Sequence, residues 1–197
     1  MKKIALTGPT GCGKGFVSEI IQSKYRLPCL DCDAVVHGLY ESDTELISKI
    51  GLLFGNDIIV SGTVDRNKLA NAVFSDKEKL GSLNALVHKS VGRYVDGWFS
   101  ECAEKGCSAA FIDAPLLFEA GMDKSVDLTI CVVASPVIRM ERIMLRDGIG
   151  KDSALGRINN QMSNEEYISR SDHLIINEGN EDVIEQLDGI LREEGII

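Results

Sequence analysis

Proline is scarce in this chain, with four residues in 197 and no low-complexity tract, which argues against long disordered segments. Long apolar runs are missing as well. After Met1, Lys2 and Lys3 only Ile4, Ala5 and Leu6 precede Thr7 and Gly8, too few for a signal-peptide core or a membrane span. A cytoplasmic protein without membrane contact is therefore expected. Cations are the minority charge: 21 Lys and Arg against 30 Asp and Glu leave a net charge of −9, a field that repels duplex nucleic acid but still allows a small phosphate ligand. The six cysteines, at 12, 29, 32, 102, 107 and 131, are scattered through a chain of 21.5 kDa, large enough to hold together without a disulfide framework. Cys29 and Cys32 have C-x-x-C spacing, but no second pair or histidine cluster accompanies them, which favours buried or incidental thiols over a redox or zinc site. No internal repeat is visible.

What is present reads as an ordinary folding chain: 44% hydrophobic and 26% charged residues, long enough for one sizeable core with a small inserted module. Short apolar runs at Lys3 to Thr7, Pro28 to Leu30, Ala109 to Ile112, Leu128 to Ala134 and His173 to Ile176 are separated by helical pattern. The first helix carries Val17, Ile20 and Ile21 on one stripe. Five strands alternating with helices predict an α/β fold with a parallel five-stranded sheet covered on both faces. Between Ala34 and Lys105 the apolar residues recur at helical spacing, apart from a short extended piece at Asp57 to Val60 before the turn at Ser61 and Gly62. This block predicts a helical insertion. An arginine-dense helical region, Pro136 to Ser169, precedes the last strand, and an acidic helix near Glu181 to Glu194 closes the chain.

Gly8-Pro9-Thr10-Gly11-Cys12-Gly13-Lys14-Gly15 matches G-x-x-x-x-G-K directly after the first strand and at the opening of a helix, the context a phosphate loop requires. Glycines let successive N–H groups and the helix amino end face an anion, and Lys14 adds a point charge for the outer phosphates. The alternative is a bland glycine turn. The eighth position departs from the motif, since Ser or Thr there would place a hydroxyl on magnesium and this chain has Gly15. Ser18, one turn on, is not expected to reach the same place. Magnesium is then expected on nucleotide, water and acidic side chains.

Asp31 and Asp33 close the second apolar run, at the strand ends where open parallel sheets bind ligands. If the chain stays extended, both carboxylates share one side. A carboxylate there can take a proton from an attacking hydroxyl or hold metal-bound water, whereas the plain alternative for Asp33 is a helix cap. Asp113, at the end of the third strand, is a further candidate for metal-water contact, so Asp31 and Asp113 are the indirect metal candidates. Arg139, Arg142 and Arg146 fall at i, i+3 and i+7 and make one cationic stripe, either a clamp for phosphoryl charge or a solvated face. Leu116, Leu117 and Phe118 read as packing or an apolar wall, His88 as a core or substrate-region residue, and Trp98 as packing.

Taken together, these residues resemble the dephospho-coenzyme A kinases: Leu6-Thr7-Gly8 with the loop, Asp31-Cys32-Asp33, Asp65-Arg66 with Leu69, Val73-Phe74, Leu83 to His88, Pro115 to Glu119, Arg142 with Arg146-Asp147, Gln161, Asp172, and Asn177 with Gly179. The resemblance covers almost the whole chain. It implies a P-loop kinase whose nucleotide core spans about 1–33, 106–135 and 171–197, with a helical substrate-binding insertion at about 34–105 and an arginine-rich lid at about 136–170. It implies transfer of the ATP γ-phosphate to the ribose 3′-hydroxyl of dephospho-coenzyme A, the last step of coenzyme A synthesis, with Mg2+ as cofactor. By position it makes Asp33 the general base. Gly8, Gly11, Cys12, Gly13, Lys14, Gly15 and Phe16 become the ATP phosphate site, Lys14, Arg142 and Arg146 the catalytic cations, and Asn177 a neighbour of the adenine. Departures from the family pattern are Gly15 for Ser or Thr, Cys32 for Ala, His37 for Arg, Lys89 for Pro after His88, and Arg139 where Gln is frequent. Two other readings stay open: a nucleoside-monophosphate-type kinase with a different acceptor, and a non-catalytic nucleotide binder motivated by Gly15.

Overall fold

The computed structural model describes residues 1–74, 76–179 and 182–197. Its described residues form two compact units, Met1–Leu30 with Glu101–Ile197, and Asp31–Ser100.

In the first unit, β1 (Lys2–Thr7) runs into a loop and then α1 (Lys14–Ser23). Ile4, Ala5 and Leu6 are wholly buried because both faces of the strand are covered, the condition under which a strand reads as a continuous apolar run. β2 (Cys29–Asp31) leads into α2 (Cys32–Ser42), α3 (Thr44–Phe54), the hairpin β3 (Ile59–Val60) and β4 (Thr63–Val64), α4 (Arg66–Val73) and the long α5 (Lys77–Glu104). There follow β5 (Ala109–Asp113), β6 (Leu128–Val133), α6 (Pro136–Asp147), α7 (Lys151–Asn159), α8 (Asn164–Ser169), β7 (His173–Ile176) and α9 (Val183–Glu193). The apolar run at Asp57 to Val60 thus forms only part of a strand: Asn56–Ile58 is a 3-10 turn, and Ile59–Val60 pairs back on Thr63–Val64 around Ser61 and Gly62. Helix α9 begins at Val183, while Glu181, from which the acidic pattern starts, lies outside the described residues.

The five-stranded sheet has the order β2-β5-β1-β6-β7, and β1 pairs in parallel with β5 (Ile4 opposite Phe111) and with β6 (Ile4 opposite Leu128). β1 is therefore central, and the loop after it opens at the carboxyl edge, where the chain has connected strands to either side of β1 and ligands bind in such sheets. Val17, Ile20 and Ile21 of α1 join Phe111, Ile130, Val132, Ile175, Leu187 and Leu191 in the core. A separate small core, Ile143 with Ala154 and Ile158, packs α6 on α7. Helix α6 starts on a Ser135 cap with Pro136 at its first position, where a missing N–H has no consequence. None of the six cysteines forms a disulfide, and among the described residues no helix is long and apolar enough to cross a membrane.

Candidate nucleotide site

The loop between β1 and α1 is held from behind at three successive carbonyls. Arg139 Nε–H donates to Thr10 O at 2.9 Å. Arg142 Nη1–H reaches Gly11 O at 3.4 Å and Cys12 O at 3.3 Å, and Asn177 Nδ2–H donates to Cys12 O at 3.0 Å. Because C=O and N–H point in opposite directions across a planar peptide, oxygens gathered on one side turn the amides of Gly11 and Gly13 toward the other. Gly13 caps α1 at φ 93°, and a Cβ there would stand 2.2 Å from Asn177 Nδ2, so only glycine fits between this backbone and its brace. Lys14 folds its Nζ back onto Gly8 O at 2.8 Å, closing the loop around its own concavity. The arrangement is an anion cradle at a helix amino end.

Arg142 also binds Asn177 O at 3.0 Å and Asn177 Oδ1 at 3.3 Å, which ties the middle of α6 to the end of β7. An open cavity of about 640 Å³ lies beside the loop, lined by Gly13, Phe16, Arg142, Asn177, Gly179 and Asp182 together with Val183. Its size suits a nucleoside. Phe16, 53% exposed, offers its ring there.

The arginine stripe does not stay together. Arg139 is buried at 2% exposure, Arg142 lies on the loop, and Arg146 is bonded bidentately to Asp147 at 2.7 and 3.0 Å with its side chain 60% exposed. Seven residues span two helical turns, roughly 10 Å of axis, so one short loop meets only part of the row. The hydrogen bond from Arg146 holds the Asp147 carboxyl below its ordinary range, and Arg157 joins the same carboxylate.

The two aspartates of the second strand end also differ from the extended reading. The chain turns helical at Cys32, so Asp31 is the cap of α2, accepting from Asp33 N–H at 2.8 Å and Ala34 N–H at 3.1 Å. Asp33 is not the cap; it is exposed in the first turn of α2, in the unit Asp31–Ser100. That unit has its own cavity of about 670 Å³, with Tyr40, Val64, Asp65, Arg66, Leu69 and Leu83 in its wall.

Asp113, at the carboxyl end of β5, accepts from Ser18 Oγ at 3.2 Å. Ser18 is buried on the stripe of Val17 and Ile21, and this polar residue on an apolar face was the available sequence signal for the pair. A Cβ on Gly15 would meet nothing within 4 Å, so its side of the helix is open. Among the described residues no group of three or more His, Cys, Asp or Glu could hold a metal ion. Asp113, held by Ser18, offers a single carboxylate, and a single carboxylate suits a magnesium ion carried mainly by a nucleotide.

Pattern reading left two further participants unassigned. Thr10 N–H donates to Gln161 Oε1 at 2.8 Å, and Asn164 accepts from Arg139 Nη1–H at 3.2 Å while its own amide donates to Ala134 O at 2.9 Å. Both come from the segment after α7, and nothing local in its sequence marks a contact with Thr10, 151 positions earlier, or with Ala134 and Arg139, 30 and 25 positions earlier.

The family model for dephospho-CoA kinase matches residues 2–182. The dephospho-CoA kinase of Listeria innocua is 37% identical over 177 residues, covering 89% of this chain and 88% of the relative. A crystal structure of TT1252 from Thermus thermophilus is similar with a TM-score of 0.81 at 32% identity, over 98% of this chain and 97% of the other. A dephospho-CoA kinase from Campylobacter jejuni shares the fold, with a TM-score of 0.72 at 22% identity over 99% and 98% of the two chains. With the loop, its braces and these matches in place, the chain belongs to the dephospho-CoA kinase family.

Proposed function

We propose that this chain transfers the γ-phosphoryl group of ATP to the ribose 3′-hydroxyl of dephospho-coenzyme A, releasing coenzyme A and ADP. The observation that carries the reading is the loop of Gly8 to Gly15, whose carbonyls are drawn back by Arg139, Arg142 and Asn177 so that its amides face a phosphate chain. Gly11, Cys12, Gly13, Lys14 and Gly15 hold the β- and γ-phosphates, and the base lies in the cavity beside Phe16, Asn177 and Gly179. Lys14 leaves Gly8 O for the outer phosphates when nucleotide binds. Arg142, which the loop already holds, stabilises spread charge, and Arg146 joins it only by releasing Asp147.

The acceptor occupies the unit Asp31–Ser100, where apolar walls and Arg66 suit a long thiol-bearing arm and an anionic end. Asp33 accepts the proton of the attacking hydroxyl, oriented by its place in the first turn of the helix that Asp31 caps. A magnesium ion entering with ATP would supply charge neutralisation for the polyphosphate, and Asp113, which accepts from Ser18, and Asp31, which caps α2, are the carboxylates proposed for its water.

A coupled assay tests the reading. ATP-dependent phosphorylation of dephospho-coenzyme A with nucleosides inert is expected, and Asp33→Asn lowers kcat by roughly 10²–10⁴ with ATP affinity unchanged. Equal turnover of nucleosides points to a different acceptor. Tight ATP binding without product makes the chain a non-catalytic binder, and full activity of Asp33→Asn removes the assigned base.

A further inference from the structure

Arg139 lies on α6 behind the phosphate loop and is 2% exposed. It bonds Thr10 O and Asn164 Oδ1, its Nη2 is buried with no hydrogen-bond partner, and no carboxylate among the described residues pairs with it. Burial alone pulls this guanidinium down from its ordinary range. A buried ion without a counter-charge is costly, and two neutral oxygens offset only part of that cost. The chain has 30 acidic residues, and among the described ones none acts on this guanidinium. The contact is close: a Cβ on Gly11 would lie 2.7 Å from Arg139 O, so the crest of the loop rests on this turn of the helix.

The Thr10 oxygen that takes Nε–H belongs to the same peptide as the Gly11 N–H. A cation pulling on one end of a peptide dipole strengthens the donor at the other. We infer that Arg139 is a positioning residue acting through the Thr10–Gly11 peptide, a buried cation whose counter-charge is the polyphosphate of the bound nucleotide. The inference rests on the loop being the polyphosphate site. It requires the effect of Arg139 to scale with phosphate on the ligand, being present for ATP and ADP and absent for adenosine. Glutamine keeps a donor but has no charge, which makes it the natural variant to measure.

Binding of ATP, ADP and adenosine is compared in the wild-type chain, Arg139→Gln and Arg139→Lys by titration calorimetry. Arg139→Gln is expected to weaken ATP and ADP about tenfold and leave adenosine within about twofold, a difference of about 1.4 kcal/mol confined to phosphate-bearing ligands. Arg139→Lys, which keeps the charge but cannot bridge Thr10 and Asn164 as a fork does, stays within about threefold of wild type for ATP. An unchanged ratio of ATP to adenosine affinity in Arg139→Gln overturns the inference. So does a tenfold loss of ATP affinity in Arg139→Lys with adenosine intact, and this second variant decides the matter if the first does not fold. A wild-type chain that binds ATP no better than adenosine removes the loop reading itself, an outcome visible before any variant is made.

Discussion

Gly15 removes one hydroxyl from the mouth of α1, and the tertiary structure shows what stands near that gap. The Cβ direction at position 15 is open, while Ser18 spends its hydroxyl on Asp113. A serine at position 15 therefore fits without displacing anything. Gly15→Ser is expected to lower the magnesium concentration for half-maximal activity by roughly tenfold, the scale of single ligand-shell changes, with ATP affinity in the absence of metal unchanged. A magnesium titration of the coupled assay measures it, and an unaltered requirement would mean that the missing hydroxyl is not what limits metal binding. Arg139 belongs to this scale too. Its spacing to Arg142 and Arg146 was legible, but a helical row says nothing about which member faces inward, and burial separated the three.

At the scale of the element, α2 begins where an extended strand end is the simplest reading of Asp31-Cys32-Asp33. The Asp31 side chain takes two amides of the first turn, and that capping fixes where Asp33 stands on the helix. Asp31→Ala is expected to cost about 1 kcal/mol in urea unfolding and to lower kcat by displacing Asp33, whereas Asp31→Asn, an equally good cap, stays within about 0.5 kcal/mol of wild type. Equal stability of all three proteins would show that the cap is dispensable. A raised magnesium requirement in Asp31→Asn at unchanged stability would separate the charge from the cap. Helix α6 illustrates the opposite case, since Ser135, Pro136 and the following periodic residues announce its start in the sequence, and the structure places it from Pro136.

At the scale of the whole molecule, Tyr167 reports how a buried phenol links stability to pH. It is wholly buried, it donates its hydroxyl proton to Pro115 O at 3.2 Å, and burial pushes its pKa up from 10.0 to about 12. The folded state thus holds this proton when the unfolded chain has released it. The stabilisation is fully present below pH 10 and is lost as pH rises from 10 toward 12. Tyr167→Phe should be less stable than wild type by about 1 kcal/mol at pH 8. Above pH 10 the wild type alone loses about 1.4 kcal/mol per pH unit from this group, so the gap closes near pH 11 in urea unfolding. A gap of the same size at both pH values would mean that the phenol ionises alike in both states.

Periodicity and punctuation alone determined the order of strands and helices, the strand-loop-helix context of Lys14 and the helical character of the insertion, because these depend on residues within a few positions of one another. Tertiary structure decided which side chains stand behind the loop. Arg139, Arg142, Gln161 and Asn177 reach it from more than a hundred positions away, and only the closing of the sheet and the docking of α6 bring their hydrogen-bonding groups within reach of Thr10, Gly11 and Cys12.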